Sequence, residues 1–441
     1  MIYRLRRWSA ALLLGMFLSL LSILQCFAAG TVSQVNLHIG QTPDAVYLIY
    51  SAPDAAQKAF SVTGPKGTAD YAANPVWSDS AGKYIYYAKV DGLAPDTNYT
   101  YNIAGSYSGT FKTPAETGAF TFAFLTDTQI GFEADAKATG AMFSLLNSRD
   151  DLAFAYIAGD MTDSSRNERQ WEMLFENGGI KKMWASFLQN FFGSHLIAAA
   201  QGNHDNSSFS GHITAPCANS GVGPVVYAFD YSNVKFVVLN MNNPGTWAAQ
   251  ADFLRQQAAD AKNNGKWLVA CFHQSLYSGA AHIVDSGIIS ARKFWSPLFA
   301  KFGVDLVLQG HDHVYARGFV TSTGSNANLT AENNTYHVVS GIPLYITGGH
   351  SGAVKWYAAR NYQISAGDPL TPNYSFLDVN SAARAQNPWG TDTSKTHEQT
   401  YILINVDGDT MTISTYMFRY DGISDKMATP PYLYDSLTIR R

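Results

Sequence analysis

Leu196-Ile197-Ala198-Ala199-Ala200-Gln201-Gly202-Asn203-His204-Asp205 is an apolar run that stops in a polar block opened by glycine. A short, unbroken apolar run of this kind suits a strand buried on both faces, as in a mainly parallel sheet. Four further runs end in the same way. Residues 122–125 lead to Asp127-Thr128-Gln129, 154–158 to Gly159-Asp160, 267–272 to His273, and 305–308 to Gly310-His311-Asp312-His313. Open α/β sheets bind ligands at the carboxyl ends of their strands, so the five blocks are expected to converge on one crevice.

The donors gathered in these blocks are hard oxygens and imidazoles. A two-ion phosphoester site needs such donors, with one carboxylate bridging cations roughly 3.5–4 Å apart. Asp160 is the natural bridge, because Gly159 before it allows close backbone approach. Asn203 offers an amide oxygen that adds no charge, and His204 beside it is left for other work.

Between the runs lie helix-like stretches at 134–147, 168–191, 246–262 and 291–302. In the third, Trp247, Ala251, Leu254 and Ala258 fall on one helical face. Alternating strands and helices imply a layered α/β core. Strand patterns return at 336–340, 344–347 and 401–416, the last broken at Asp407-Gly408. The polar segment 358–395 reads as a surface insertion.

Before residue 118 the pattern differs. Short alternating runs at 35–39, 45–50, 84–90 and 99–101, separated by turn residues, read as a small antiparallel β-sandwich. Phe111-Lys112-Thr113-Pro114 reads as its last strand and exit. Residues 1–29 have the parts of a secretory signal: Arg4, Arg6 and Arg7, an apolar stretch from Ala10 to Leu24, then Ala28 and Ala29. A retained membrane anchor is the alternative. The expected division is therefore 1–29 as leader, 30–115 as the β-sandwich, and 118–441 as the catalytic part with a β-rich end.

Composition narrows the function. The chain of 441 residues is 46% hydrophobic and only 15% charged, with formal charge −4; loss of the leader's three arginines makes it −7. An acidic exported protein is not built to attract a nucleic acid polymer. No membrane contact beyond the leader is expected, and oligomeric state is not readable. Cys217 and Cys271 would remain after cleavage, too few for a disulfide framework; Cys271 reads as a buried thiol.

The five blocks resemble the metallophosphoesterase (calcineurin-like) superfamily, whose order DxH, GDxx, GNH(D/E), H, GHxH is matched from Asp127 to His313. Gly310-His311-Asp312-His313-Val314-Tyr315-Ala316-Arg317 and Leu93 to Tyr101 extend the likeness to purple acid phosphatases with an N-terminal fibronectin type III-like domain. The resemblance implies one ion held by Asp127, Asp160 and His313, and another held by Asp160, Asn203, His273 and His311; Gln129 is expected to ligate the first through its carbonyl oxygen, the alternative being water in its place. It places His204 at the phosphate or leaving group with Asp205 orienting its ring, and His282 as a proton donor. It implies an α/β layered β-sandwich flanked by helices, preceded by a small all-β fibronectin III-like sandwich, and hydrolysis of a small phosphorylated substrate, a phosphomonoester, by attack of metal-bound water. A phosphodiesterase or nucleotidase is the alternative on the same site, and a cell-surface binding protein with an inactive domain is the alternative of another class.

Two departures fall on the first ion. Gln129 stands where the superfamily has His, and Asp163 where purple acid phosphatases have the Tyr that binds ferric iron and gives the colour. A divalent pair, Fe, Mn or Zn, is expected. Tyr315 and Arg317 are expected to brace the last loop, Asp163 to serve as a helix cap or a partner near the site, and His212 and His350 to lie exposed in loops.

Overall fold

The computed structural model describes residues 32–56, 59–103, 105–175, 191–205, 208–213, 219–324, 327, 329–352, 357, 397–421 and 424–441. The leader, Cys217 and the insertion at 358–395 lie outside them. Eight strands come first: β1 Ser33–Ile39, β2 Val46–Ala52, β3 Ala59–Gly64, β4 Gly67–Ala72, β5 Asn74–Ser78, β6 Lys83–Val90, β7 Asn98–Ile103 and β8 Tyr107–Lys112. The layered part follows with β9 Phe120–Leu125, β10 Leu152–Ile157, β11 Leu196–Ala199, β12 Tyr227–Tyr231, β13 Val234–Val238, β14 Trp267–Cys271, β15 Leu306–Gln309, β16 Tyr315–Phe319, β17 Thr335–His337 and β18 Leu344–Gly348. It ends in β19 His397–Asp407, β20 Thr410–Asp421 and β21 Lys426–Arg440. The helices are α1 Glu133–Asn147, α2 Glu168–Phe175, α3 Phe209–His212, α4 Trp247–Asn263 and α5 Ser286–Phe302.

Two sheets form the layered core. One runs β17-β21-β20-β19-β9-β10-β11-β1-β2-β6-β5, the other β12-β13-β14-β15-β18-β16. The strands that lead into the polar blocks are parallel within each sheet: β9, β10 and β11 in the first, β14 and β15 in the second.

Alternation along each strand explains the unbroken apolar runs. Phe122, Phe124, Phe154, Tyr156, Leu196 and Ala198 point into the core shared with Phe229, Phe236 and Val269 of the second sheet. Ala123, Leu125, Ala155, Ile157, Ile197 and Ala199 point the other way, into a core with Met142 and Phe143 of α1 and Trp171 of α2. Phe154 meets Phe236 edge-on across the sheets at 5.4 Å and stacks on Phe122 at 5.1 Å. Each buried aromatic ring of this kind contributes about 1.5–3 kcal/mol.

The N-terminal strands are all β, as expected, and half of them also continue the first catalytic sheet. β1 pairs in parallel with β11, Leu37 opposite Leu196, so β1, β2, β6 and β5 extend the first catalytic sheet. A separate sheet, β4-β3-β7-β8, accompanies them. There Tyr99 stacks on Phe111 at 5.5 Å, and its hydroxyl accepts the Ala94 N–H at 2.9 Å. Cys271 is a buried free thiol.

On the helix-facing side of β1, Gln34, Asn36 and His38 are all buried. Both ring nitrogens of His38 lack a hydrogen-bond partner, and burial pushes its pKa down to about 3. The ring is therefore neutral in the folded chain, whereas the unfolded chain takes up a proton below about 6.5. Stability is unaffected above that pH and falls by about 1.4 kcal/mol per unit as the pH drops toward 3. His38→Leu is expected to flatten the dependence of unfolding free energy on pH between 6 and 3; an unchanged slope in denaturant titrations would refute it.

Candidate metal centre

The five loops after β9, β10, β11, β14 and β15 meet as expected, at one end of the facing sheets. Their backbones are unusual: Asp127, Gln129, Asp160, His311 and His313 all have positive φ, between 34° and 72°. L-residues resist that region at a cost of roughly 1–2 kcal/mol each, and such strain gathers at functional sites. The loops also approach too closely for side chains at their glycines. A Cβ on Gly202 would lie 2.0 Å from Asp160 Oδ1, and one on Gly310 would lie 1.9 Å from Thr126 Oγ1.

Asp127 and Asp160 sit at the centre, both buried. Asp127 Oδ2 accepts the Thr126 hydroxyl at 2.5 Å and the His311 N–H at 2.8 Å. Its Oδ1 accepts no hydrogen bond and faces His313 Nε2 at 3.2 Å and His273 Nε2 at 4.0 Å. Asp160 Oδ1 accepts the His204 N–H at 2.8 Å, while Oδ2 lies 3.2 Å from His273 Nε2. His273 Nδ1 is 2.7 Å from the Ala158 carbonyl, which fixes the proton there and turns Nε2 inward, 3.1 Å from Asn203 Oδ1. Donor atoms of Asp160, His273 and His311 lie within 4.8 Å of one another.

Burial alone would lower His273, but Asp160 and Asp127 draw its pKa up to about 10. It supplies the positive charge that balances the two carboxylates, a role a bound cation would take over. Burial, then the charge on His273 and His282, holds His311 well below the usual histidine range. Burial and the neighbouring Asp160 push Asp205 up to about 8. Orphaned carboxylate and amide oxygens at Asp127 and Gln129, with the imidazoles of His273, His311 and His313 around them, are a donor set that suits hard or borderline divalent cations.

Residues 120–315 match the family model of calcineurin-like phosphoesterases. The chain carries a calcineurin-like phosphoesterase domain. Among its relatives are the Fe(3+)-Zn(2+) purple acid phosphatase 12 of Arabidopsis thaliana, 22% identical over 61% of this chain, and the phosphoenolpyruvate phosphatase of Allium cepa, 22% identical over 74%. The aligned regions span 59% and 70% of those two proteins. The purple acid phosphatase PPD1 of yellow lupin (Lupinus luteus) seeds shares the fold, with a TM-score of 0.66 at 15% identity, over 93% of this chain and 75% of that one.

Several side chains of this phosphoesterase domain stand differently from their expected places. Asp205 does not face the His204 ring; its Oδ2 accepts the N–H groups of Asp160 and Gly202 at 2.7 and 2.9 Å, tying two loops together. The His204 ring is held by Asp163, whose carbonyl lies 2.7 Å and whose Oδ1 lies 3.4 Å from Nδ1. Asp163 is thus a partner at the site. His212 and His350 are buried rather than exposed. His212 stacks on Trp171 at 4.5 Å and meets Glu168 at 3.0 Å, while His350 Nδ1 lies 3.2 Å from the His313 carbonyl.

His282 sits beside the cluster, its ring centroid 4.2 Å from that of His311. Asp285 holds its Nδ1 at 2.7 Å and Asp312 accepts its backbone N–H at 3.1 Å. Tyr357 went unnoticed in the sequence, yet its ring lies 4.8 Å from His313 and 5.2 Å from His282. Asp285, three residues after His282, carried a local signal; Tyr357, far along the chain from any block, carried none.

Proposed function

We propose that this chain is an exported, metal-dependent phosphoesterase that hydrolyses phosphomonoesters. The supporting observation is the unsatisfied Oδ1 of buried Asp127, 3.2 Å from His313 Nε2 and 4.0 Å from His273 Nε2, within one cluster that also contains Asp160. Asp127, Gln129, Asp160 and His313 would hold one ion, and Asp160, Asn203, His273 and His311 the other. Bound there, divalent cations supply Lewis acidity that makes water a nucleophile near neutral pH and offsets charge on the phosphoryl oxygens. The chain's own groups do the rest. His204 and His282 stand at the rim of the cluster, His204 as the group that meets the phosphate and His282 as the one that can pass a proton to a leaving oxygen. Asp285 and Asp312 fix the ring and backbone of His282, and Asp205 locks the Asp160 loop to the Gly202 loop.

The leader at residues 1–29 supports export; no helix among the described residues is long and apolar enough to cross a membrane. The name of the Allium cepa relative, a phosphoenolpyruvate phosphatase, favours small monoesters. The test is metal analysis of chelator-free protein with chromogenic mono- and diester substrates. Monoester turnover dependent on Mn, Zn or Fe is expected. A clear diester preference would sink the monoester reading, and no activity with well under one ion bound would favour an inactive binding protein.

Asp163 occupies the position of the iron-binding Tyr, so protein loaded with ferric iron is expected to lack the visible phenolate band. Burial, then the charge on Asp127, pushes the Tyr357 phenol up, which keeps it protonated. A band that disappears in Tyr357→Phe would overturn this and make Tyr357 a ligand.

A further inference from the structure

The two residues that depart from the family pattern touch each other. Gln129 is buried, and its Nε2 lies 3.1 Å from Asp163 Oδ1 and 3.0 Å from His204 Nε2. The carboxylate decides which way the amide faces: opposite Asp163 Oδ1 only the NH2 group is tolerated, because the carbonyl oxygen would face an acceptor. That NH2 then gives its second hydrogen to His204 Nε2, which must be bare. The proton of the ring is on Nδ1, where the Asp163 carbonyl accepts it at 2.7 Å. Donors and acceptors close around the ring without conflict, and the Gln129 carbonyl oxygen is left with no hydrogen-bond partner.

The backbone makes this arrangement rigid. Gln129 N–H donates to the Asp160 carbonyl at 2.7 Å, Ile130 N–H to Met161 at 3.2 Å, and Asp163 N–H to Ile130 at 3.1 Å. A parallel bridge between Ile130 and Thr162 completes the strap. The loop bearing Gln129 and the loop bearing Asp163 therefore move as one piece, and His204 is clamped between them.

We propose that Gln129 is a positioning residue for His204: its NH2 group bridges His204 Nε2 and Asp163 Oδ1 and sets the ring's orientation, while its carbonyl oxygen remains free to ligate. One amide thus does two jobs, and its place in the site is that of an anchor as well as a ligand. The catalytic part of this inference rests on the phosphoesterase reading; the hydrogen-bonding part does not.

The test uses the full mature chain with Gln129→Met, which keeps length without the NH2, and Gln129→Glu, which keeps oxygen donors without it. In metal-free protein, the nitrogen-15 resonance of His204 Nε2 is expected to move in both variants. With Mn(II) and 4-nitrophenyl phosphate, kcat is expected to fall about 10- to 100-fold with KM little changed, the scale of lost partners around ligands. Gln129→Glu is expected to bind as much Mn(II) as the wild type, which separates positioning from metal loss. An unmoved His204 resonance, or full kcat in Gln129→Glu, would overturn the proposal; if Gln129→Met does not fold, Gln129→Glu decides alone. A resonance that moves in the variants, beside a wild type that hydrolyses no phosphoester, would sink the enzymatic reading and leave the positioning intact.

Discussion

Asp160→Asn is expected to lower phosphomonoester turnover by about 10²- to 10³-fold, the range for loss of one group that stabilises charge at a transition state. The substitution changes charge and almost nothing else. Asn has nearly the shape of Asp and tolerates the left-handed backbone, here φ 48°, better than most residues. Its carbonyl oxygen can still accept the His204 N–H that Oδ1 now accepts at 2.8 Å. What it cannot do is place a second anionic oxygen against His273 Nε2, 3.2 Å away, because an NH2 group there ligates nothing. A neutral bridge leaves one half of the cluster short of a donor and the whole cluster short of a charge. Metal content should fall from about two ions to one or fewer. The rise in melting temperature that bound Mn(II) or Zn(II) gives the wild type should shrink with it. More than a tenth of wild-type turnover in metal-replete protein would show that Asp160 is not the bridge.

The five blocks were legible because each ends a strand buried on both faces, so the change from apolar to polar is abrupt. Which strand joins which of the two sheets was not legible. Residues 196–199 and 267–271 look alike as sequence, and their partners are chosen by contacts distant along the chain. The surroundings of β1 were not legible for a different reason. Gln34, Asn36 and His38 alternate with Val35, Leu37 and Ile39, and alternation alone does not say what covers the polar side. The structure buries that face: Gln34 Nε2 reaches Glu168 at 2.5 Å and Asn36 reaches the His212 carbonyl at 3.4 Å. Polar partners on α2 and α3 made the polar side of β1 an inner side, and so the N-terminal strands joined the catalytic sheet.

The same limit explains the residues around the site. Asp205 follows His204 directly, and adjacency suggested that it orients the ring. In a sharp loop, neighbours in sequence point apart, and Asp205 turns instead toward backbone N–H groups of two loops. Asp163 is far from His204 in sequence and reaches it only because β10 and β11 are parallel neighbours ending side by side. The C-terminal part was read as β-rich, but the full length of β21 was not legible because Pro430 and Pro431 interrupt its pattern; it tolerates them where its pairing with β20 shifts register.

Asp435→Ala is expected to cost about 3–5 kcal/mol of folding free energy, the penalty for breaking a buried ion pair by removing one partner. Asp435 lies on β21 of the first sheet and receives Arg317 and Tyr315 from β16 of the second. Arg317 Nε and Nη2 donate to its two oxygens at 2.6 and 3.2 Å, and the Tyr315 hydroxyl donates at 2.7 Å. The paired side chains are only 12% and 10% exposed. A planar fork on a carboxylate in such surroundings is the strong form of the interaction. Alanine would strand a guanidinium and a phenol without their acceptor, and the desolvation cost of the charge would go uncompensated. The damage should reach the site, because His313 is two residues before Tyr315 and shares its loop. The triple variant Tyr315→Phe, Arg317→Met, Asp435→Leu removes the carboxylate together with the two side chains that donate to it and is expected to be markedly more stable than Asp435→Ala alone. Denaturant unfolding of the metal-free chains measures both. A loss below about 1 kcal/mol in Asp435→Ala would place the pair with exposed surface bridges, and the brace between the sheets would then have to lie elsewhere.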